Sequence, residues 1–237
     1  MLNFLKLLLI ALHVEIVSFF ALISLLIDRS FNLYYLCNLP FSRGILAIAG
    51  IKVKTSGLEN IEKGKAYIYV SNHSSQFDIA VLQSVIPGKI SMFFKKELAK
   101  IPLFGWQLWA GPYIIIDRKN PDSARKSLDK AKWLLSEKKI SVLLFAEGTR
   151  SVSGEVQQFK RGAFNLAGKV AFPIIPVTIS GSQKIMPKGK LKINPGVISV
   201  HFDKPVNTEN INSRQDEINL MNKVRDIIIK NHSIEAV

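Results

Sequence analysis

Past residue 50 the chain repeats one pattern. A short run of apolar, often β-branched residues gives way to a polar break, and then to a stretch in which apolar residues recur every three or four positions. The runs occupy 51–55, 66–71, 90–94, 113–117, 140–145, 174–180 and 197–202. Most are continuously apolar, which predicts strands covered on both faces. The clearest intervening helix runs over 122–138, with Asn120 as its N-cap, Pro121 at its first helical position, and Ala124, Leu128, Ala131 and Leu135 on one face. A last helix starts at Ser213, whose hydroxyl sits opposite Asp216, and turns Ile218, Met221, Val224 and Ile228 inward. Strands alternating with helices predict a layered α/β domain with a mixed sheet flanked by helices. In such sheets, ligands gather beyond the carboxyl ends of the strands.

The first 50 residues follow a different pattern. Residues 7–27 are apolar apart from His13 and Glu15, about the length that spans a ~30 Å hydrocarbon core. A second apolar run, 31–49, follows the polar break Asp28, Arg29, Ser30 and is interrupted by Asn38, Pro40 and Arg43. The expectation is a two-helix membrane anchor over 1–50 and a catalytic domain over 51–237. Glu15 costs about 2.5 to 3.5 kcal/mol at a bilayer centre, which favours shallow insertion into one leaflet. It also argues against a secretory signal peptide, as does the lack of a small-residue cleavage site.

Charge sharpens this picture. With 32 Lys and Arg against 18 Asp and Glu, the net charge is +14, which draws anionic partners. Nucleic acid and the anionic cytoplasmic leaflet both satisfy that charge, and the apolar N-terminus selects the membrane. The single cysteine, Cys37, cannot form an internal disulfide and lies among apolar neighbours, so it reads as a small hydrophobe on a cytoplasm-facing protein. His13, His201 and His232 are too scattered to make a zinc site. The stretch 162–169 fails as a phosphate loop, because five residues separate Gly162 from Gly168 and Val170 stands where Ser or Thr is needed. Trp106, Trp109 and Trp133 read as core or interfacial residues.

Two strand ends carry candidate chemistry. After the run 66–71 comes Asn72-His-Ser-Ser-Gln-Phe-Asp78, with His73 past the strand and Asp78 in the first turns of a helix. An imidazole with an ordinary pKa of about 6.5 can take a hydroxyl proton at neutral pH. A carboxylate on its other nitrogen fixes the tautomer. By spacing alone, the pair also fits a helix cap with Asp78 at the positive dipole end. After the run 140–145 come Glu147, Gly148, Thr149 and Arg150. Arg can fork onto a phosphate, Thr adds a hydroxyl, and Gly admits close backbone approach. Lys160 and Arg161 read as a solvated basic loop.

Together these blocks resemble the lysophosphatidic acid acyltransferases of the wider glycerolipid acyltransferase family. The resemblance rests on His73 and Asp78 at the family's His-four-residues-Asp spacing, on Lys95-Lys96-Glu97-Leu98, on 111–118 ending in Arg118, on 145–150, and on Ile175-Pro176-Val177. The blocks keep the family's order over roughly 65–180. One position departs: Ala146 stands where the family commonly has proline.

The resemblance implies transfer of a fatty acyl group from acyl-CoA or acyl carrier protein to the free hydroxyl of lysophosphatidic acid. It implies His73 and Asp78 as the catalytic pair, and Lys95, Lys96, Arg118, Glu147, Gly148, Thr149 and Arg150 on the acceptor. No cofactor or metal is expected beyond the thioester substrate. The lysolipid, the thioester and an anionic membrane surface are the expected partners, without nucleic acid. The setting it implies is a bacterial-type cytoplasmic membrane, with the catalytic domain on its cytoplasmic face. Within the resemblance, glycerol 3-phosphate or a lyso-aminolipid is an alternative acceptor; outside it, the charge alone fits a non-catalytic basic module at a membrane surface.

Overall fold

The computed structural model describes residues 2–117 and 121–235. Seven strands form one mixed sheet: β1 (Ile51–Ser56), β2 (Ile68–Ser71), β3 (Ile90–Lys95), β4 (Ile114–Ile116), β5 (Ser141–Phe145), β6 (Ile174–Ser180) and β7 (Gly196–Phe202). Their order is β1-β7-β6-β2-β5-β3-β4. All neighbouring pairs are parallel except the antiparallel β6 and β7. Each strand coincides with one of the apolar runs.

Period-two alternation divides the central strands between two cores, whereas β1 and β7 bury one face only. In and just before β2, Tyr67 and Tyr69 face one layer, while Ile68 and Val70 face the other. The first layer holds α1 (Leu2–Ile27), α2 (Asn32–Leu36), α3 (Asn38–Ala49), α4 (Phe77–Val85) and α5 (Phe104–Ala110). The second holds α6 (Pro121–Ser136), α7 (Gly162–Val170) and α9 (Arg214–Glu235). A short α8 (Ser182–Ile185) follows β6. In α6, Ala131, Leu134 and Leu135 are completely buried. The predicted N-cap Asn120 falls outside the described residues. At α9 the Ser213 Oγ accepts from the Asp216 N–H at 3.1 Å and Asp216 Oδ2 accepts from the Ser213 N–H at 2.8 Å, a reciprocal cap. Leu220 is buried on its inward face with Val224 and Ile228, ahead of the expected Ile218.

The two-helix anchor is corrected to one. Among the described residues, only α1 is long and apolar enough to cross a membrane, and little of it is buried. The second run breaks at Cys37 into α2 and α3, which bury Tyr34, Ile45, Leu46 and Ala49 in the sheet's own core. Its polar interruptions therefore punctuate a core segment. His13 also finds its reason here. Its Nε2 lies 3.1 Å from the Pro40 carbonyl and 3.2 Å from that of Phe41. A Cβ at Gly44 would come within 2.2 Å of this ring, so the glycine is what lets α1 and α3 approach.

Candidate active site

The first corner starts where β2 ends. Asn72 donates its Nδ2 to the Ile179 carbonyl at 2.9 Å and accepts from the Ile179 N–H at 2.8 Å, fastening the chain to β6. Asp78, wholly buried in the first turn of α4, turns Oδ2 back to accept from the Ser74 N–H at 2.8 Å, the Ser75 N–H at 2.9 Å and His73 Nδ1 at 2.7 Å. An oxygen already receiving two amide protons acts as an acceptor, so Nδ1 carries the imidazole proton and Nε2 keeps the lone pair. The helix dipole favours the carboxylate's charge at this position. The imidazole stacks on Phe145, centroids 4.0 Å apart, and keeps 14% of its side-chain surface exposed.

The second corner, beyond β5, closes on the first. Ser151 N–H donates to the His73 carbonyl at 2.7 Å, and the His73 N–H donates to Glu147 Oε1 at 3.1 Å. Glu147 Oε2 accepts from Gln157 Nε2 at 2.9 Å. The residue is 3% exposed, and burial pushes its carboxyl up to about 7, with the nearby Asp78 charge adding to the rise. Glu147 thus holds the backbone of His73. Gly148 adopts φ 70°, a left-handed backbone that favours glycine, with the flexible Lys160 side chain packed beside it. At Ala146 the N–H donates to the Ser71 carbonyl at 3.3 Å, tying β5 to β2. Proline at that position has no N–H to give.

Both corners border one cavity of about 540 Å³. His73, Lys95, Gly148, Thr149, Arg150 and Lys188 line its polar side. Val17 and Ala21 from α1, Phe41 from α3, Met92 and Phe94 from β3, and Leu108 from α5 line its apolar side. Where α2, α4 and α5 meet, Gln83 Nε2 donates to the Tyr113 hydroxyl at 3.1 Å and Tyr34 donates to Gln107 Oε1. Burial pushes the Tyr113 phenol up to about 12 and raises that of Tyr34 further, so both stay neutral donors.

The structure brings His73, Asp78, Lys95, Glu147, Gly148, Thr149 and Arg150 together. It places Lys96 elsewhere: its Nζ pairs with Asp117 Oδ2 at 3.2 Å in a neighbouring slot. Arg118 lies outside the described residues. Lys188, unremarked in the sequence, enters from the loop after α8 and donates to Thr149 Oγ1 at 3.2 Å and to the Arg150 carbonyl at 3.0 Å. Its signal was a basic run, 188–192, following β6, which looks like solvated charge until the loop is folded over. Among the described residues, no three His, Cys, Asp or Glu side chains gather closely enough to hold a metal ion.

Comparison with known proteins adds a lineage to this geometry. The 1-acyl-sn-glycerol-3-phosphate acyltransferase of Limnanthes douglasii is 32% identical over 189 residues, 79% of this chain and 66% of that protein. The enzyme of the same name from Saccharomyces cerevisiae is 34% identical over 183 residues, 76% and 59% respectively. The human 1-acyl-sn-glycerol-3-phosphate acyltransferase alpha is 33% identical over 162 residues, 68% and 57%. The chain thus spans about two thirds or less of these relatives. The crystal structure of the 1-acyl-sn-glycerophosphate (LPA) acyltransferase PlsC from Thermotoga maritima superposes with a TM-score of 0.77 at 23% identity, covering 100% of this chain and 98% of that one, so the two share a fold. The profile of the family described as Acyltransferase matches residues 52–180, more than half the chain and a span that contains both corners, and the protein belongs to that family.

Proposed function

We propose that the protein transfers a fatty acyl group from a thioester, acyl-CoA or acyl carrier protein, to the free hydroxyl of a lysophosphatidic-acid-like lipid, giving phosphatidic acid. The observation that carries this is His73 Nε2, left with its lone pair by the Nδ1 bond to buried Asp78, beside the cations of a largely apolar cavity. The names of the relatives support the same acceptor.

The acceptor phosphate sits against the Arg150 guanidinium, with Lys188 and Lys95 adding charge and Thr149 a hydroxyl. His73 Nε2 takes the proton of the acceptor hydroxyl as its oxygen attacks the thioester carbonyl. The resulting imidazolium is stabilised by Asp78. When the tetrahedral intermediate collapses, the C–S bond breaks and His73 returns the proton to the departing thiolate. No acyl-enzyme forms, and the hydrocarbon of the substrates occupies the apolar side of the cavity. In this account α1 lies in the cytoplasmic face of the membrane, so that the lysolipid enters laterally.

The test is thiol release from acyl-CoA and from acyl carrier protein by the full chain, with lysophosphatidic acid, with monoacylglycerol, and with no acceptor. Release that depends on the phosphorylated acceptor is expected. Equal release with monoacylglycerol would remove the phosphate from the account, and none with either donor would end the acyl-transfer reading.

A further inference from the structure

The helix α5 has two faces, and only one belongs to the cavity already described. Phe104, Gln107 and Leu108 line the His73 cavity, whereas Trp106, Trp109 and Ala110 point into a second slot of about 870 Å³. The division extends along the neighbouring chain: Lys95 and Ile116 face the first cavity, Lys96 and Ile115 the second. The slot is thus walled off from the reacting groups.

Its lining is of two kinds. Lys96 and Lys100 from the turn after β3, and Lys126 and Lys130 from α6, converge there against one carboxylate, Asp117, which Lys96 engages. Lys130 is half-buried; its Nζ reaches the Gly111 carbonyl at 3.4 Å, and no carboxylate among the described residues pairs with it. Burial lowers its pKa, as desolvation does for an ammonium. The other lining is apolar. The indoles of Trp106 and Trp109 are more than half exposed, and Leu22 joins the slot to the outer flank of α1, where Phe19, Ile23 and Leu26 are also exposed. Indoles settle at the level of lipid headgroups, lysines are drawn to anionic ones, and exposed leucine and phenylalanine accept acyl chains.

We propose that this slot binds an anionic glycerophospholipid of the surrounding membrane, its phosphate among Lys100, Lys126 and Lys130, its ester region on Trp106 and Trp109, and its chains along α1. Charge complementarity and continuity with the apolar flank of α1 select a lipid over a soluble anion, which would leave the indoles and Leu22 unused. The inference rests on α1 lying in a bilayer and is independent of the acyl-transfer chemistry, because binding is read without turnover.

The experiment uses the full chain carrying Trp133→Phe, so that fluorescence reports Trp106 and Trp109 alone. The protein is bound to phosphatidylcholine vesicles in which a small fraction of the lipid is brominated, either as phosphatidylglycerol or as phosphatidylcholine. Quenching by the brominated phosphatidylglycerol is expected to exceed that by brominated phosphatidylcholine severalfold. Lys100→Gln with Lys126→Gln, both exposed positions, should abolish the excess, while Lys63→Gln with Lys139→Gln, an equal charge loss elsewhere, should preserve it. Equal quenching by the two lipids, or equal loss in both pairs of variants, overturns the proposal by reducing it to diffuse surface charge. Inorganic phosphate that abolishes the excess at millimolar concentration, or an acidic carrier protein that shields the indoles from iodide without vesicles, would assign the slot to that anion instead and equally overturn it.

Discussion

The two corners of the site are built in opposite ways. Beyond β2, Asp78 gathers His73, Ser74 and Ser75 with one oxygen, all within six residues of chain. Beyond β5, Glu147 is held by the His73 N–H from 74 residues away and by Gln157, while Lys188 reaches Thr149 and Arg150 from a third loop. The first corner is a local device that orients one ring. The second is an assembly that exists only when the sheet is complete. Damage to the Asp78–His73 pair should therefore appear in the chemical step with little effect on folding, and damage to the second corner should spread between acceptor binding and stability.

The largest expected effect separates the two. Asp78→Asn keeps the shape but leaves Nδ1 without its charged acceptor, and kcat should fall by roughly 10³ to 10⁴-fold. Thermal unfolding of the variant checks that the loss is chemical. Next comes the anion side. Arg150→Ala should raise the KM for the phosphorylated acceptor roughly 10- to 100-fold, the worth of about 1.5 to 3 kcal/mol for a charged hydrogen bond, with kcat less affected. Lys188→Ala should move KM in the same direction by a smaller factor. If neither variant changes acceptor dependence, the phosphate does not sit at this corner.

Two smaller effects concern the framework. Asn72→Leu would leave the N–H and C=O of Ile179 unpaired in the core, and should cost about 1 to 3 kcal/mol by chemical denaturation. Glu147 makes a pH prediction. Its carboxyl, raised from 4.5 to about 7, stays protonated in the folded protein over a range where the unfolded chain has released that proton. The folded state therefore binds more protons between those values, and stability is fully present below about pH 4.5 and declines as pH rises through about 7. After allowance for partial solvent screening, the decline is roughly 2 kcal/mol. Denaturation midpoints measured from pH 5 to 8 should show it in the natural protein and not in Glu147→Gln.

The same contrast explains what could be read from the chain. Most of the strands were legible because burial on both faces leaves continuous apolar runs, and the Ser213–Asp216 cap was legible because its partners are three residues apart. His73 and Asp78 were legible as a pair for the same reason. Lys188 was not, since only the return of the loop after α8 converts a basic run into a ligand for Thr149. Lys95 and Lys96 were equal by charge, and the end of β3 between them assigns one to the cavity and the other to Asp117. The second apolar run misled because hydropathy cannot distinguish a lipid-facing helix from one buried under a sheet; Tyr34 and Ala49, both in the core, decide it. At Ala146 the departure from the family pattern becomes intelligible only when its N–H is seen to reach Ser71.

The central claim is that His73 Nε2 takes the proton of the acceptor hydroxyl, and the most direct measurement is acceptor-dependent thiol release by His73→Ala at saturating substrates. The account predicts a fall of at least about 10²-fold, with unfolding temperature and vesicle binding unchanged. A rate within a few-fold of the natural protein would contradict it.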